Sequence, residues 1–156
     1  MTIAATLEVD NIVNASEDDT VIVSGTTTGI EDGQTVTVVF TDGSGSTVTQ
    51  TASVSSNAYA IAGADISGLK EGTIAITANA TDAAGNAASQ ATKNLTFDKT
   101  ASITIATTLE GDNVANATED GDVVVSGTTT GIEDGQTVTV VFTDGSGSTV
   151  TQTASV

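Results

Sequence analysis

The chain has 156 residues, 20 acidic against three basic, for a formal net charge of −17, and it lacks His, Cys, Trp and Pro altogether. These absences exclude imidazole bases, thiolate nucleophiles, zinc sites of the usual ligand types and a disulfide framework. With Lys70, Lys93 and Lys99 as the only basic side chains, no basic patch is present to meet a nucleic-acid backbone or to bring the chain to an anionic membrane, and no stretch approaches the ~20 apolar residues of a membrane span.

Taken in chain order, alternation of apolar and polar residues predicts strands over residues 2–7, 21–27, 34–41, 46–54, 58–61, 72–81 and 88–97. In the third, Val36, Val38 and Phe40 share one face while Thr35, Thr37 and Thr41 share the other. In the sixth, Ile74, Ile76, Ala78 and Ala80 alternate with Thr73, Thr77, Asn79 and Thr81. The stretches between them, such as GIEDGQ, TDGSGS, ISGLKEG and TDAAGN, are Gly/Asp/Asn turn chemistry, and no run shows helical spacing over ten residues. The aromatic set is Phe40, Phe97, Phe142 and Tyr59, so the core relies on β-branched side chains. Seven short strands of this kind predict an all-β, immunoglobulin-like β-sandwich, a seven-strand antiparallel Greek key.

The pattern then starts again. Residues 24–54 recur without one change as residues 126–156, and residues 2–23 align with 104–125 without a gap. The expected organisation is one complete repeat, 1–102, followed by the N-terminal half of a near-identical second repeat, 103–156. Spacer modules are often arrayed this way and catalytic domains seldom are, so no enzymatic activity is expected.

Four phrases, LEVDNIVNASED, SGTTTGIEDGQTVTVVFTDG, ISGLKEGTIAITANATDAAGNAAS and LTFDKT, resemble the bacterial immunoglobulin-like repeats of giant type I-secreted adhesins of Gram-negative bacteria, the RTX and biofilm class. The resemblance spans the whole chain. It implies an extracellular, cell-surface location, long extender regions of such sandwiches in a row, neighbouring repeats as partners, and Ca²⁺ at the joints between them. The glycine-rich nonapeptide Ca²⁺ repeats, membrane-retention module and secretion signal of that class are not among these residues, so the chain is expected to be a piece of the extender.

Strand direction independently sorts the acidic residues. In a seven-strand sandwich, loops alternate between poles. The first loop (Asp10, Asn14, Glu17), the third (Asp42), the fifth (Asp65, Glu71) and the linker residue Asp98 fall at the exit pole. Glu133 and Asp134 fall at the entry pole of the next copy, as Glu31 and Asp32 do in the first, and Asp112, Asn116 and Glu119 repeat the first-loop set. Hard oxygen donors gathered at one joint suit Ca²⁺, which takes six to eight oxygens and tolerates irregular geometry. Two carboxylates ~4 Å apart repel by about 4 kcal/mol at an effective dielectric near 20, so a joint with several of them calls for a cation. Each group also has a plainer reading. The first-loop set and the Glu31–Asp32 turn can merely cap turns, Asp82 with Asn86 can hold an Asx turn, Asp98 can be a solvated linker, and Asp42 and Asp144 read as turn residues.

Residues 103–156 supply only the first four strands of a repeat, and half a sandwich does not fold alone. It is either disordered or completed by strands from another copy through swapping or augmentation, which would make the chain a filament subunit. A further class is a module whose Thr-rich faces bind carbohydrate or ice.

Overall fold

The computed structural model describes all 156 residues, in eleven strands and no helix. They are β1 (Ile12–Val13), β2 (Val21–Thr26), β3 (Thr35–Thr41), β4 (Thr47–Ser53), β5 (Ala58–Ala64), β6 (Gly72–Ala80), β7 (Ala91–Phe97), β8 (Ser102–Ile105), β9 (Gly127–Thr130), β10 (Thr137–Thr143) and β11 (Thr149–Ser155). The chain divides into two units, Met1–Lys99 and Thr100–Val156.

In the first unit, period-two alternation becomes two sheets. One has five strands in the order β1-β7-β6-β3-β4, and the other pairs β2 with β5. β3 lies between β4 and β6, with Val36 opposite Ala52 of β4 and Ala80 of β6, and Phe40 opposite Val48 and Ile76. Val36, Val38 and Phe40 of β3, Ile74, Ile76 and Ala78 of β6, and Val21 and Val23 of β2 are all fully buried. With Tyr59, Ile61, Leu95 and Phe97 they form one core between the sheets. Each large apolar side chain so buried contributes about 1.5–3 kcal/mol, which suffices for a light, β-branched core.

The first strand departs from the expectation of a single run over 2–7. Thr2 N–H donates to Thr26 C=O at 2.8 Å and Ala4 N–H to Ser24 C=O at 2.8 Å, so the segment begins alongside β2. It then turns at 7–11, where Glu8, Val9 and Asn11 adopt left-handed φ of 46°, 71° and 67°. Asn11 Oδ1 accepts the Leu7 N–H at 3.0 Å and Leu7 is buried, which ties the turn to the core. The chain emerges on the other sheet as β1, paired parallel to β7 with Ile12 opposite Thr96 and Val13 opposite Phe97. One parallel pair therefore interrupts the antiparallel pattern. The cause is tertiary: splitting this segment covers an edge of both sheets.

At the fifth strand, the expected 58–61 extends to Ala64 through a bulge on β5, where Ile61 and Ala64 stand opposite Val23 and Val21 and Gly63 takes a left-handed φ of 77°. Ser56 and Asn57, both left-handed, make the tight turn from β4 into β5 that matches strand twist.

The second unit repeats the opening of the first. β8 pairs with β9, Thr104 opposite Thr128, as Thr2 lies against Thr26, and β10 pairs with β11 in the register of β3 with β4. Its side chains are all exposed or half-buried: Val138, Val140 and Phe142 are only half-buried where Val36, Val38 and Phe40 are sealed.

Candidate cation-binding loops

In the first loop, every expected ligand is engaged in a turn. Asp10 Oδ1 accepts the Ile12 N–H at 2.9 Å, and Glu17 Oε2 accepts the Asn14 N–H at 3.1 Å. Asn14 Oδ1 accepts both the N–H and the hydroxyl of Ser16, at 2.8 and 2.7 Å. Asn14 C=O receives the N–H groups of Glu17 and Asp18, both at 3.1 Å. This is a capping box closed on a single turn. The second unit reproduces it: Asp112 Oδ1 accepts from Val114 N–H at 2.9 Å, Glu119 Oε2 from Asn116 N–H at 3.0 Å, and Asn116 Oδ1 from Thr118.

Backbone links draw the loops of one pole together. Asp18 C=O accepts the Ile66 N–H at 2.7 Å, joining the first loop to the segment of Asp65, whose Oδ1 accepts from Ser67 N–H at 3.0 Å and Ser67 Oγ at 2.6 Å. Asp42 Oδ2 accepts the Lys70 N–H at 2.9 Å, which ties the β3–β4 turn to the same segment. Asp98 donates its N–H to Val13 C=O at 3.0 Å, and Lys99 N–H reaches Glu71 Oε1 at 3.2 Å. Lys99 Nζ donates to Ser67 C=O at 2.7 Å and stands 5.1 Å from the Phe97 ring, placing a cation beside these carboxylates.

At the opposite pole, Glu31 Oε2 accepts the Ala83 N–H at 2.9 Å, and Asp82 holds Asn86 through N–H and Nδ2, at 2.7 and 2.8 Å. Asp32 is exposed in the neighbouring turn. Glu133 and Asp134 occupy the same turn in the second unit, whereas Asp98 belongs to the first.

Hydrogen bonds favour the charged form of some of these carboxylates. The Ser67 hydroxyl, foremost, lowers the pKa of Asp65, and the Asn86 amide lowers that of Asp82. Asp42 is lowered furthest, chiefly by the Lys70 amide and then by the Ser44 hydroxyl. Asp42 is also buried, and its link to Lys70 is a connection that turn chemistry alone does not reveal.

The donors are hard oxygens of the kind Ca²⁺ takes. No three acidic side chains converge into a metal-holding group, so an ion here would also draw on backbone carbonyl and amide oxygens. No imidazole or thiol is present to add chemistry.

No family model and no curated protein matches the chain. Several solved structures are similar to it, among them the following two. One is a tetra-tandem repeat in the extending region of a large adhesion protein, 32% identical over 99% of this chain and 37% of that one, with a TM-score of 0.54. The other, from work on host cell surface retention of a 1.5-MDa bacterial ice-binding adhesin, is 22% identical over 99% of this chain and 52% of that one, with a TM-score of 0.51. The chain thus spans about a third to a half of the structures it matches. Its all-β fold is similar to that of tandem repeats in the extending region of a large adhesion protein, in keeping with the resemblance its motifs carry.

Proposed function

We propose that the chain is a non-enzymatic extender module of a bacterial surface adhesin, located outside the cell, which holds distal adhesive domains away from the surface for adhesion and biofilm formation. The observation that carries this reading is repetition of one structural plan: identical β-hairpins at Thr35–Thr41/Thr47–Ser53 and Thr137–Thr143/Thr149–Ser155 follow each other along the chain. Its likeness to a repeat from an extending region supports it. Ca²⁺ stiffens the array in this reading. Support for the ion is the placement of Asp10, Asn14, Glu17, Asp65 and Asp98 on hydrogen-bonded loops of one pole, with Glu31, Asp32 and Asp82 at the other. Export as an RTX-type substrate of type I secretion, unfolded where Ca²⁺ is scarce, fits the same picture.

The test is small-angle scattering of the chain in Ca²⁺ and in chelator. A narrow distribution of interatomic distances in Ca²⁺ that broadens in chelator is expected. Identical curves, together with no heat of Ca²⁺ binding by calorimetry, remove the ion and leave a spacer stiff or flexible by itself.

A second reading has one observation in its favour. The outer face of the five-stranded sheet, which includes Thr37, Thr49, Thr51, Thr77, Asn79 and Thr92, bears no charged side chain although the chain carries a net −17. Such a neutral hydroxyl face suits carbohydrate or ice, and a glycan array or ice-affinity partition distinguishes that role from a passive spacer.

A further inference from the structure

A strand at the end of a sheet leaves a row of backbone N–H and C=O groups unpaired, and proteins blunt such edges with short strands, bulges, covering segments or charge. In the first unit, three edges are blunted. β1 is two residues long, β2 is covered by the hydrogen bonds that Thr2 and Ala4 donate to Thr26 and Ser24, and β5 is bulged at Gly63. The remaining edge, β4, has none of these devices. It ends the five-stranded sheet, runs seven residues in unbroken register with β3, and contains neither proline nor charge.

The hydrogen bonds at its two ends fix which groups stay free. Asp42 N–H donates to Ser46 C=O at 3.0 Å and Val54 N–H to Gln34 C=O at 2.8 Å, so the even-numbered residues of β4 bond to β3. The N–H and C=O groups of Thr47, Thr49, Thr51 and Ser53 therefore point away from the sheet along its open edge. Their side chains are exposed on the outer face, while Val48, Gln50 and Ala52 are half-buried on the inner one.

The surroundings are neutral. Residues 43–64, between Asp42 and Asp65, contain no charged side chain, the longest such run in the chain, and they form both β4 and β5. A partner of opposite charge is drawn to the acidic loops rather than here, and two copies of a chain of net −17 meet with least repulsion along this side. The edge is also its own complement. Turned about a two-fold axis through Gln50, Thr49 falls opposite Thr51 and Thr47 opposite Ser53, hydroxyl against hydroxyl along the outer face.

We propose that β4 pairs antiparallel with β4 of a second copy, joining their two five-stranded sheets into one continuous sheet. Thr47, Thr49, Thr51 and Ser53 exchange backbone hydrogen bonds across the axis, and the two Gln50 side chains meet on the inner side. Chains then associate side by side, which is distinct from the end-to-end order of repeats. Because β11 has the sequence of β4, the same edge recurs along the chain, and pairs that are weak singly add through multivalency. The pairing itself does not rest on the extender reading.

The chain has no Cys, so a single introduced thiol reports the register. Opposed non-hydrogen-bonded residues of an antiparallel pair bring their Cα atoms to about 4.5 Å, within disulfide reach. In the full chain, Gln50→Cys is expected to form a disulfide-linked dimer under mild oxidation, whereas Ala60→Cys, exposed on β5, cross-links by collision alone and far more slowly. Thr51→Pro removes an outward N–H without removing a bond to β3, and added to Gln50→Cys it should slow cross-linking to the Ala60→Cys rate. Thr49→Glu with Thr51→Glu, which sets like charges opposite each other across the axis, should do the same without a backbone change. In sedimentation velocity, a chain with Thr153→Pro, which closes the matching edge of β11, should show a dimer that grows with protein concentration and with NaCl, as screening weakens the repulsion between copies. A monomer at every concentration and salt overturns the proposal, as does equal cross-linking of Gln50→Cys and Ala60→Cys.

Discussion

Val9 has a φ of 71° while its side chain is 96% exposed, an uncommon combination for a β-branched residue. Left-handed backbone costs a residue with a Cβ about 1–2 kcal/mol, and exposure means that little packing offsets it. The second repeat has Gly111 at the equivalent position, with a φ of 79°. Val9→Gly is therefore expected to stabilise the first unit by about 1 kcal/mol in urea unfolding, the gain in strain being reduced by the greater entropy of glycine in the unfolded chain. A loss of stability would show that Val9 makes a contact that outweighs its strain. Asp42 makes the opposite kind of contribution. Its Oδ1 accepts from Ser44 N–H, Ser44 Oγ and Ser46 N–H at 2.8, 2.7 and 2.9 Å, in addition to Lys70 N–H on Oδ2. Its folded pKa lies below the ordinary value of 3.8, so the unfolded chain takes up the proton first as pH falls. The stabilisation is complete above about pH 5 and is lost progressively as the pH drops through the unfolded value toward the folded one. Asp42→Asn should lower the urea midpoint at neutral pH and flatten its dependence between about pH 5 and pH 2. An equally steep dependence in the variant would place the acid sensitivity elsewhere. Asp144 repeats the Ser146 and Ser148 contacts but has no counterpart of Lys70 among its partners, so Asp144→Asn should cost less.

At the scale of elements, the two copies of TVTVVFT are an internal control, since β3 and β10 differ only in what covers them. Phe40 is fully buried and Phe142 half-buried. Phe40→Ala should cost about 3–5 kcal/mol, as a large core truncation does, and Phe142→Ala well under half of that. Equal losses by urea unfolding would mean that the second unit is covered in solution. The same contrast explains what the sequence discloses. Alternation in 35–41 and 72–80 is a local property and reads directly as strand and face, as Phe40 and Ile76 confirm by their burial. The crossing of the first segment from β2 to β7 is not local: LEVDN alternates like a strand, and only the anchoring of Leu7 by Asn11 and the core turns it. The loops divide similarly. Asn14 with Glu17, and Asp82 with Asn86, are spaced so that each pair's hydrogen bonds follow from turn chemistry. Asp42 with Lys70, and Glu31 with the Ala83 amide, bridge residues 28 and 52 positions apart, which no spacing rule anticipates.

For the whole molecule the governing quantity is the net charge of −17, carried mostly on turns and loops while the outer sheet face stays neutral. Self-repulsion of this kind weakens a compact state and yields to simple screening, whose length falls from ~30 Å at 0.01 M salt to ~8 Å at 0.15 M. NaCl over that range should therefore stabilise the first unit by about 1 kcal/mol, which in a unit of this size raises the melting temperature by about 4–8 °C. Specific sites behave differently. An ion held at ~10⁻⁴ M affinity and supplied at 100 times that concentration adds about 2.7 kcal/mol, and it does so at constant ionic strength. Thermal melts in NaCl and in CaCl₂ at matched ionic strength separate the two effects, because screening depends only on the salt and binding on the ion. Ca²⁺ is expected to raise the melting temperature beyond NaCl, and substitution of Asp65 and Asp98 by Asn should remove the difference while leaving the NaCl response in place. If NaCl reproduces the whole effect of CaCl₂, the loops are anionic turns that keep neighbouring repeats apart by repulsion, and any stiffness of the array comes from its linkers.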